Sequence, residues 1–151
     1  MELKLRPTTP EDEPFLLEVY ASTRIDELAG IGWSDEQKQV FIKMQFLARE
    51  RTYPRVDDRI ILLDGRAVGR LLVDRNEAEL LLRDIALLTA YRNAGIGSRL
   101  VQDLMQEGKP IKLHVVSTSP AVRFYERLGF LKSDAEPEVA YLEMKWVPAT
   151  S

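Results

Sequence analysis

The chain is expected to fold as a β-sheet with helices packed on its faces, an α/β or α+β domain. Three observations predict it. The run RIILLDGRAVGRLLV places Asp64-Gly65 between two apolar stretches, a dipeptide that supplies the positive φ angles of a two-residue hairpin turn. Helix starts are written at Thr9-Pro10, Ser34 and Ser119-Pro120, where a hydroxyl residue stands at the cap and, in two of them, proline takes the first helical position. In the second half, segments of helical periodicity alternate with segments of period two. Strands that first pair locally and then alternate with helices require one sheet covered by helices. A length of 151 residues suits a single domain with a full core. No repeat, low-complexity tract or linker interrupts it, so residues 1–151 are read as one domain.

Taken in order, Glu2 to Arg6 alternates polar and apolar and suits a short strand. Thr9, Pro10, Glu11 and Asp12 open a helix whose apolar stripe is Phe15, Leu16, Val19 and Tyr20. Ser34 with Gln37 three residues on forms a capping box, and Val40, Phe41, Met44 and Leu47 are expected to line the helix that follows. The hairpin around Asp64-Gly65 comes next. An isolated hairpin needs a third strand, and Glu77 to Leu88 is the nearest stretch, although its Ala, Leu and Glu content favours a helix by propensity. Ile96, Leu100, Val101, Leu104 and Met105 make an amphipathic helix that ends near Gly108 and Pro110. Ile111 to Val116 reads as a strand, Ser119-Pro120 starts a helix that Gly129 ends, and VAYLEMKW is the closing strand.

Composition narrows the function. A formal net charge of −3 argues against a dedicated nucleic-acid binder and permits a cationic substrate. The absence of cysteine excludes disulfides, zinc-thiolate sites and a cysteine nucleophile, and a single histidine, His114, leaves little room for a histidine-built metal site. No metal is expected. The N-terminal MELKLRPTTP lacks a signal pattern and no apolar run approaches the length of a membrane span, so the chain reads as a soluble cytoplasmic protein without membrane partners.

The stretch YRNAGIGSRL, residues 91–100, puts two glycines between an apolar run and a helix start. A helix N-terminus leaves backbone N–H groups without partners and carries partial positive charge. A loop stripped of side chains there lets an anion sit on those N–H groups. Gly95 and Gly97 permit that approach, Ser98 offers a hydroxyl, and Arg92 and Arg99 add charge. No Gly-Lys-Ser/Thr follows, so this is not a Walker loop, and the third glycine of the dinucleotide fingerprint is missing. Alone, the element is equally a strand-to-helix turn.

Read together, DIALLTAYRNAGIGSRLVQDLM and LHVVSTSPAVRFYERLGF resemble the GNAT acetyltransferase superfamily. Arg92, Gly95 and Gly97 match its Arg/Gln-x-x-Gly-x-Gly/Ala loop, and Ala121, Phe124, Tyr125, Leu128, Gly129 and Phe130 match its second signature, in the right order. The likeness is specific over residues 84–130. It implies a single mixed, mostly antiparallel sheet with helices on both faces and a splay between two central parallel strands. It thereby turns Glu77–Leu88 into a strand against its propensity.

The resemblance also implies acetyl-CoA as cosubstrate, with its pantetheine arm in the gap beside Ile111–Val116. Leu87, as a bulged residue, and its neighbours Leu88 and Thr89 would meet the arm and thioester. The backbone of Asn93, Ala94, Gly95, Ile96, Gly97 and Ser98 would hold the pyrophosphate, with Arg92 on phosphate. Tyr125 is the expected general acid that protonates the leaving thiolate. Many members carry asparagine at the start of this helix; here Ser119 takes that position and reaches less far. Asp84, interrupting an apolar strand, is the candidate base and should have a partner or a role, since burying it alone would cost several kcal/mol. Arg83 points to the opposite face. For His114 a hydrogen-bonded position, in the core or behind a site residue, is favoured over the role of base, and Phe124 is read as core.

The acceptor site is expected in the loop between the first two helices and near the C-terminal strands. Arg24, Asp26, Glu27, Trp33 and Asp35 fall in or beside that loop, and Tyr53-Pro54 borders it. Arg24 suits a carboxylate, the acids an ammonium, and Trp33 an apolar or cationic group; Arg24, Glu27 and Trp33 are the acceptor residues singled out. Tyr141 is read as packing, and Met144 and Trp146 as part of a homodimer contact. The leading reading is an N-acetyltransferase that moves acetyl from a CoA thioester to a primary amine by direct attack, a small molecule favoured over a protein. The alternative is a non-catalytic acyl-CoA-binding or regulatory module on the same fold. A third reading, a simple turn in an unrelated α/β domain, requires the FYERLGF match to be chance.

Overall fold

The computed structural model describes residues 2–52, 57–132 and 141–149. Its elements are β1 (Leu3–Pro7), α1 (Glu13–Arg24), α2 (Asp35–Thr52), β2 (Asp57–Leu63), β3 (Arg66–Arg75), β4 (Leu80–Leu87), α3 (Ile96–Met105), β5 (Ile111–Val116), α4 (Ala121–Arg127), β6 (Leu131–Lys132) and β7 (Tyr141–Trp146). The seven strands form one mixed sheet in the order β1-β2-β3-β4-β5-β7-β6. The segment that propensity assigned to a helix is β4, and it pairs parallel to β5. Their ladder comprises Leu80↔Ile111, Leu81↔Lys112 and Leu82↔Leu113, short of the C-terminal ends of both strands. By compactness the chain divides into two units, Met1–Leu72 with Asp84–Ala94, and Val73–Arg83 with Gly95–Ser151.

The first unit is built on α1, α2 and the hairpin β2–β3. Asp64 and Gly65 carry φ of 51° and 82°, the pair of positive angles that the Asp-Gly turn requires. β1 pairs antiparallel with β2 from Leu3↔Leu63 to Pro7↔Arg59 and ends the sheet, where a proline is tolerated. Before α1, Pro10–Asp12 forms a 3-10 turn in which the Asp12 carboxylate accepts from the Thr9 N–H at 2.8 Å. Arg6 grips that carboxylate through both terminal nitrogens, at 2.9 and 2.8 Å, and holds it well below the usual carboxylate range. The capping box of α2 forms as expected: the Ser34 N–H donates to Gln37 Oε1 at 2.9 Å and the Gln37 N–H to Ser34 Oγ at 3.1 Å.

The core of this unit joins Leu16, Phe46 and Ile60, with Phe15, Tyr20, Leu47 and Leu62 packed around them. The expected stripe of α2 is corrected here. Ile42 and Phe46, one helical turn apart, face the core, whereas Val40 and Met44 are 57% and 65% exposed. Two residues correspond to about 200° of helix rotation, so these two pairs occupy opposite faces. Phe41 remains half-buried because the edge of Trp33 packs on it, with ring centroids 5.2 Å apart.

In the second unit, α3 buries Ile96, Leu100, Val101 and Leu104, and β5 buries Ile111 and Leu113. β5 and β7 pair antiparallel over six residues, from Ile111↔Trp146 to Val116↔Tyr141. Ser119 Oγ accepts from the Ala121 N–H at 3.1 Å at the start of α4. Gly129 follows the helix at φ 102°, and a β-carbon there would meet Trp146 Cδ1 at 3.4 Å. Three expectations fail in this unit. His114 is not in the core: its side chain is 53% exposed and lies opposite Glu143, Nε2 to Oε1 3.7 Å. Tyr141 is exposed at the strand end and does not serve as packing, and Met144 is fully buried and so offers no surface for a subunit contact. The two-residue strand β6, exposed at the sheet edge, has too few residues to leave a periodic signal.

Candidate functional site

The loop before α3 takes the shape that its residues allow. Thr89–Tyr91 forms a 3-10 turn, Asn93 stands at φ 62° and Gly95 at φ 81°. Both angles lie in the left-handed region that glycine and asparagine tolerate. Gly95 is the N-cap of α3, no side chain caps the helix there, and a β-carbon on Gly95 would meet nothing within 4 Å. The first intrahelical bond is Arg99 N–H to Gly95 O, 3.1 Å. The first-turn N–H groups of Ile96, Gly97 and Ser98 therefore have no intrahelical acceptor. This donor set fits an anion such as a diphosphate.

Gly97 differs from Gly95. Its backbone is helical, and a β-carbon would lie 3.4 Å from Cζ of Phe124. Gly95 is needed for its backbone angle, whereas Gly97 lies at ordinary contact distance from the Phe124 ring of α4. Phe124 is thus half-buried, and Tyr125 beside it is 7% exposed. The Tyr125 ring packs edge-on against Phe124 and Phe130, with centroids 5.0 and 5.4 Å apart. Ser119, earlier in the chain, accepts the Ala121 N–H on its hydroxyl.

In the first unit, Asp84 lies beside Arg49, whose terminal nitrogen is 3.6 Å from Oδ2. Burial pushes the Asp84 carboxyl above the usual carboxylate range; Arg49, Arg70 and Arg24 pull against it and Asp58 adds to it. Arg83, the preceding residue, bonds instead to Asp74, as the alternation of a strand demands. Next to Asp84 a charged network is buried. Arg70 donates to both oxygens of Asp58, at 2.9 and 2.7 Å, and to Glu50 Oε1 at 2.5 Å. Its carboxylate partners outweigh burial and hold the guanidinium charge firmly.

At the end of β4, the Leu87 carbonyl accepts from Arg92 Nε at 3.0 Å, and the Leu88 N–H donates to Val68 O at 2.9 Å. Arg92 also donates from its NH2 group to the carbonyl and hydroxyl of Ser22, at 3.2 and 3.3 Å. Thr89 and Ala94 are exposed. Of the acceptor residues, Arg24 and Glu27 pair with each other at 3.2 Å, and the Arg24 guanidinium lies over the Tyr20 ring, 5.1 Å from its centroid. Arg24 Nε is buried with no hydrogen-bond partner among the described residues. Trp33 is 38% exposed and belongs with Phe41. Asp35 is an exposed residue of the first turn of α2. Tyr53, Pro54 and the side chain of Asp26 lie outside the described residues.

Sequence reasoning missed Arg49, Ser22 and the Asp58–Arg70–Glu50 network, whose members are far apart in the chain. It also missed Gly69, where a β-carbon would lie 2.2 Å from the Ala86 carbonyl oxygen. A glycine inside an apolar strand was the available signal for that close approach.

Comparison with known proteins bears on the same segment. The model of the acetyltransferase (GNAT) domain matches residues 50–132, more than half of the chain. No curated protein matches. Many solved structures do. The PaiA N-acetyltransferase from Thermoplasma acidophilum, in complex with coenzyme A, is 20% identical over 96% of this chain and 98% of its own, with a TM-score of 0.70. An acetyltransferase from Thermus thermophilus is 19% identical over 97% of each chain, also at 0.70. A protein described as histone acetyltransferase HPA2 and related acetyltransferase, from Corynebacterium glutamicum, is 22% identical over 100% and 99%, at 0.68. With the parallel pair β4–β5, the uncapped glycine turn before α3 and a family match that spans both, the chain belongs to the GNAT acetyltransferase family.

Proposed function

We propose that the protein is an N-acetyltransferase that uses acetyl-CoA and transfers its acetyl group to a primary amine by direct attack. The observation that carries this reading is the N-terminus of α3, where Gly95 at φ 81° leaves the first-turn N–H groups uncapped, within the segment that matches the family. The coenzyme A complex of the Thermoplasma acidophilum relative supports CoA as the ligand. Backbone groups of Asn93, Ala94, Gly95, Ile96, Gly97 and Ser98 take the pyrophosphate, and the backbone from Leu87 to Thr89 guides the arm. Bound there, the thioester supplies an activated acyl carbon.

The chain's own groups then manage protons. Asp84, whose carboxyl burial has made a stronger base than an ordinary aspartate, accepts the proton of the attacking ammonium, directly or through water. Tyr125 donates its phenolic proton to the departing sulfur. Arg24 at the end of α1 and Glu27 in the 3-10 turn that follows, together with Trp33, form the acceptor side, with a small amine as its occupant.

The reading is tested by calorimetric titration of CoA into the wild type, Gly97→Glu and Gly97→Gln. The two variants have nearly the same size, so a loss confined to the glutamate reports repulsion of an anion; equal loss in both would reduce the glycine to a packing residue. Thiol release from acetyl-CoA in an amine screen, with Tyr125→Phe as control, then decides between enzyme and binding module. Tight CoA binding with no amine-dependent thiol release identifies a non-catalytic module. No CoA binding removes both.

A further inference from the structure

Arg92 opens the Arg-x-x-Gly-x-Gly run, and the resemblance implies that its guanidinium contacts phosphate. Its geometry points elsewhere. Nε donates to Leu87 O at 3.0 Å, and NH2 donates to Ser22 O at 3.2 Å and Ser22 Oγ at 3.3 Å. Two of its three nitrogens are thereby engaged in the described protein, on Leu87 and on Ser22, the latter 70 positions before Arg92 in the chain. The Ser22 carbonyl belongs to the last turn of α1, which runs on without a break into the 3-10 turn Ile25–Leu28. The Leu87 carbonyl belongs to the peptide unit whose other end, the Leu88 N–H, donates to Val68 O at 2.9 Å. That one peptide is pinned at its oxygen by Arg92 and at its hydrogen by β3.

We propose that Arg92 is a positioning residue that fixes the Leu87–Leu88 peptide and ties it to the last turn of α1 at Ser22, and that it does not act as a phosphate ligand. The inference rests on the acetyl-CoA reading for its functional consequence, since the Leu87–Leu88 backbone is where that reading guides the pantetheine arm. Swinging the guanidinium onto phosphate would release the carbonyls of Leu87 and Ser22 together. A planar fork reaches acceptors on two elements in one fixed geometry; a lysine ammonium keeps the charge and lacks the fork. The proposal therefore separates charge from shape.

The experiment compares the wild type, Arg92→Lys, Arg92→Gln and Ser22→Ala by two measurements. The first is amide hydrogen exchange of the CoA-free protein at Leu88 and in the last turn of α1. The second is calorimetric CoA affinity across a range of salt. Arg92→Lys and Arg92→Gln are both expected to speed exchange at these amides about tenfold, the scale of one lost hydrogen bond to a charged group. Ser22→Ala is expected to speed it less, since the carbonyl contact remains. CoA affinity falls severalfold in both Arg92 variants, with the salt dependence of the wild type. Unchanged exchange overturns the proposal, and so does wild-type affinity in Arg92→Lys or a weakened salt dependence in Arg92→Gln, each of which marks a phosphate contact. If Arg92→Gln does not fold, Arg92→Lys and Ser22→Ala carry the comparison. A wild type that does not bind CoA refutes the acetyl-CoA reading, while the exchange data still decide whether Arg92 is the clamp.

Discussion

A β-carbon placed on Gly97 would sit 3.4 Å from Cζ of Phe124, the residue just before Tyr125, whereas one placed on Gly95 would touch nothing yet require φ 81°. The two glycines of one short loop thus answer to different constraints. The contact at Gly97 is ordinary van der Waals distance, so a methyl group fits. Gly97→Ala is expected to fold normally and gain up to about 1 kcal/mol, because alanine is the better helix residue. Gly95→Ala is expected to lose about 1–2 kcal/mol from the left-handed backbone alone. Urea denaturation of both variants checks this, and equal effects would contradict the assignment.

Gly69 makes a stricter demand. A β-carbon there would lie 2.2 Å from Ala86 O and 2.9 Å from Leu87 Cδ2, so β4 would have to move away from β3 just before the pinned Leu87–Leu88 peptide. Gly69→Ala is expected to destabilise by about 1–3 kcal/mol, the usual cost of overpacking, and to weaken CoA binding. A melting temperature equal to the wild type would show that the strands separate freely.

Asp84 ties stability to pH. Burial raises its carboxyl in the folded protein, so the fold holds that proton more tightly than the unfolded chain does. In acid both states are neutral and the residue carries no such penalty. As pH rises through the folded value, ionising the buried group destabilises the fold, and the penalty persists at neutral pH. Asp84→Asn is therefore expected to melt higher than the wild type at neutral pH, with the gain vanishing in acid. It is also expected to abolish the acid limb of the rate profile, which in the wild type lies above the ordinary carboxylate range. A variant that is active with an unchanged acid limb would remove Asp84 from catalysis.

Arg70 supports both effects. Arg70→Ala leaves Asp58 and Glu50 buried without their shared cation, at an expected cost of about 3–5 kcal/mol. Arg70 also pulls the Asp84 carboxyl down. Its replacement by methionine, which keeps much of the volume, is expected to move the acid limb of the rate profile to higher pH. Chemical denaturation measures the first effect and a pH–rate profile the second.

Much of the local structure was written in neighbouring residues. Asp64-Gly65 demanded the hairpin, Ser34 with Gln37 formed the cap of α2, and the glycine run set the turn into α3. Each depends on backbone angles or hydrogen bonds within a few positions. The face of α2 was misjudged because Val40, Phe41, Met44 and Leu47 also recur at helical spacing. Which of two apolar stripes is buried depends on what packs against it, here the cluster of Leu16, Phe46 and Ile60. His114 was misplaced for the same reason, since alternation along a strand does not say whether a face is covered.

By itself, the amino-acid sequence determined the order of the elements, their caps and turns, and the two motifs that mark the family. Those are properties of short chain segments, in which φ preferences and side-chain periodicity act locally. Propensity alone left β4 a helix and the family motifs implied a strand; the tertiary structure supplies the reason, pairing with Ile111–Leu113 that overrides helical propensity. It alone joined Asp84 to Arg49, Arg70 to Asp58 and Glu50, and Arg92 to Ser22. Charge partners of this kind are chosen by proximity after folding, and no spacing along the chain encodes them.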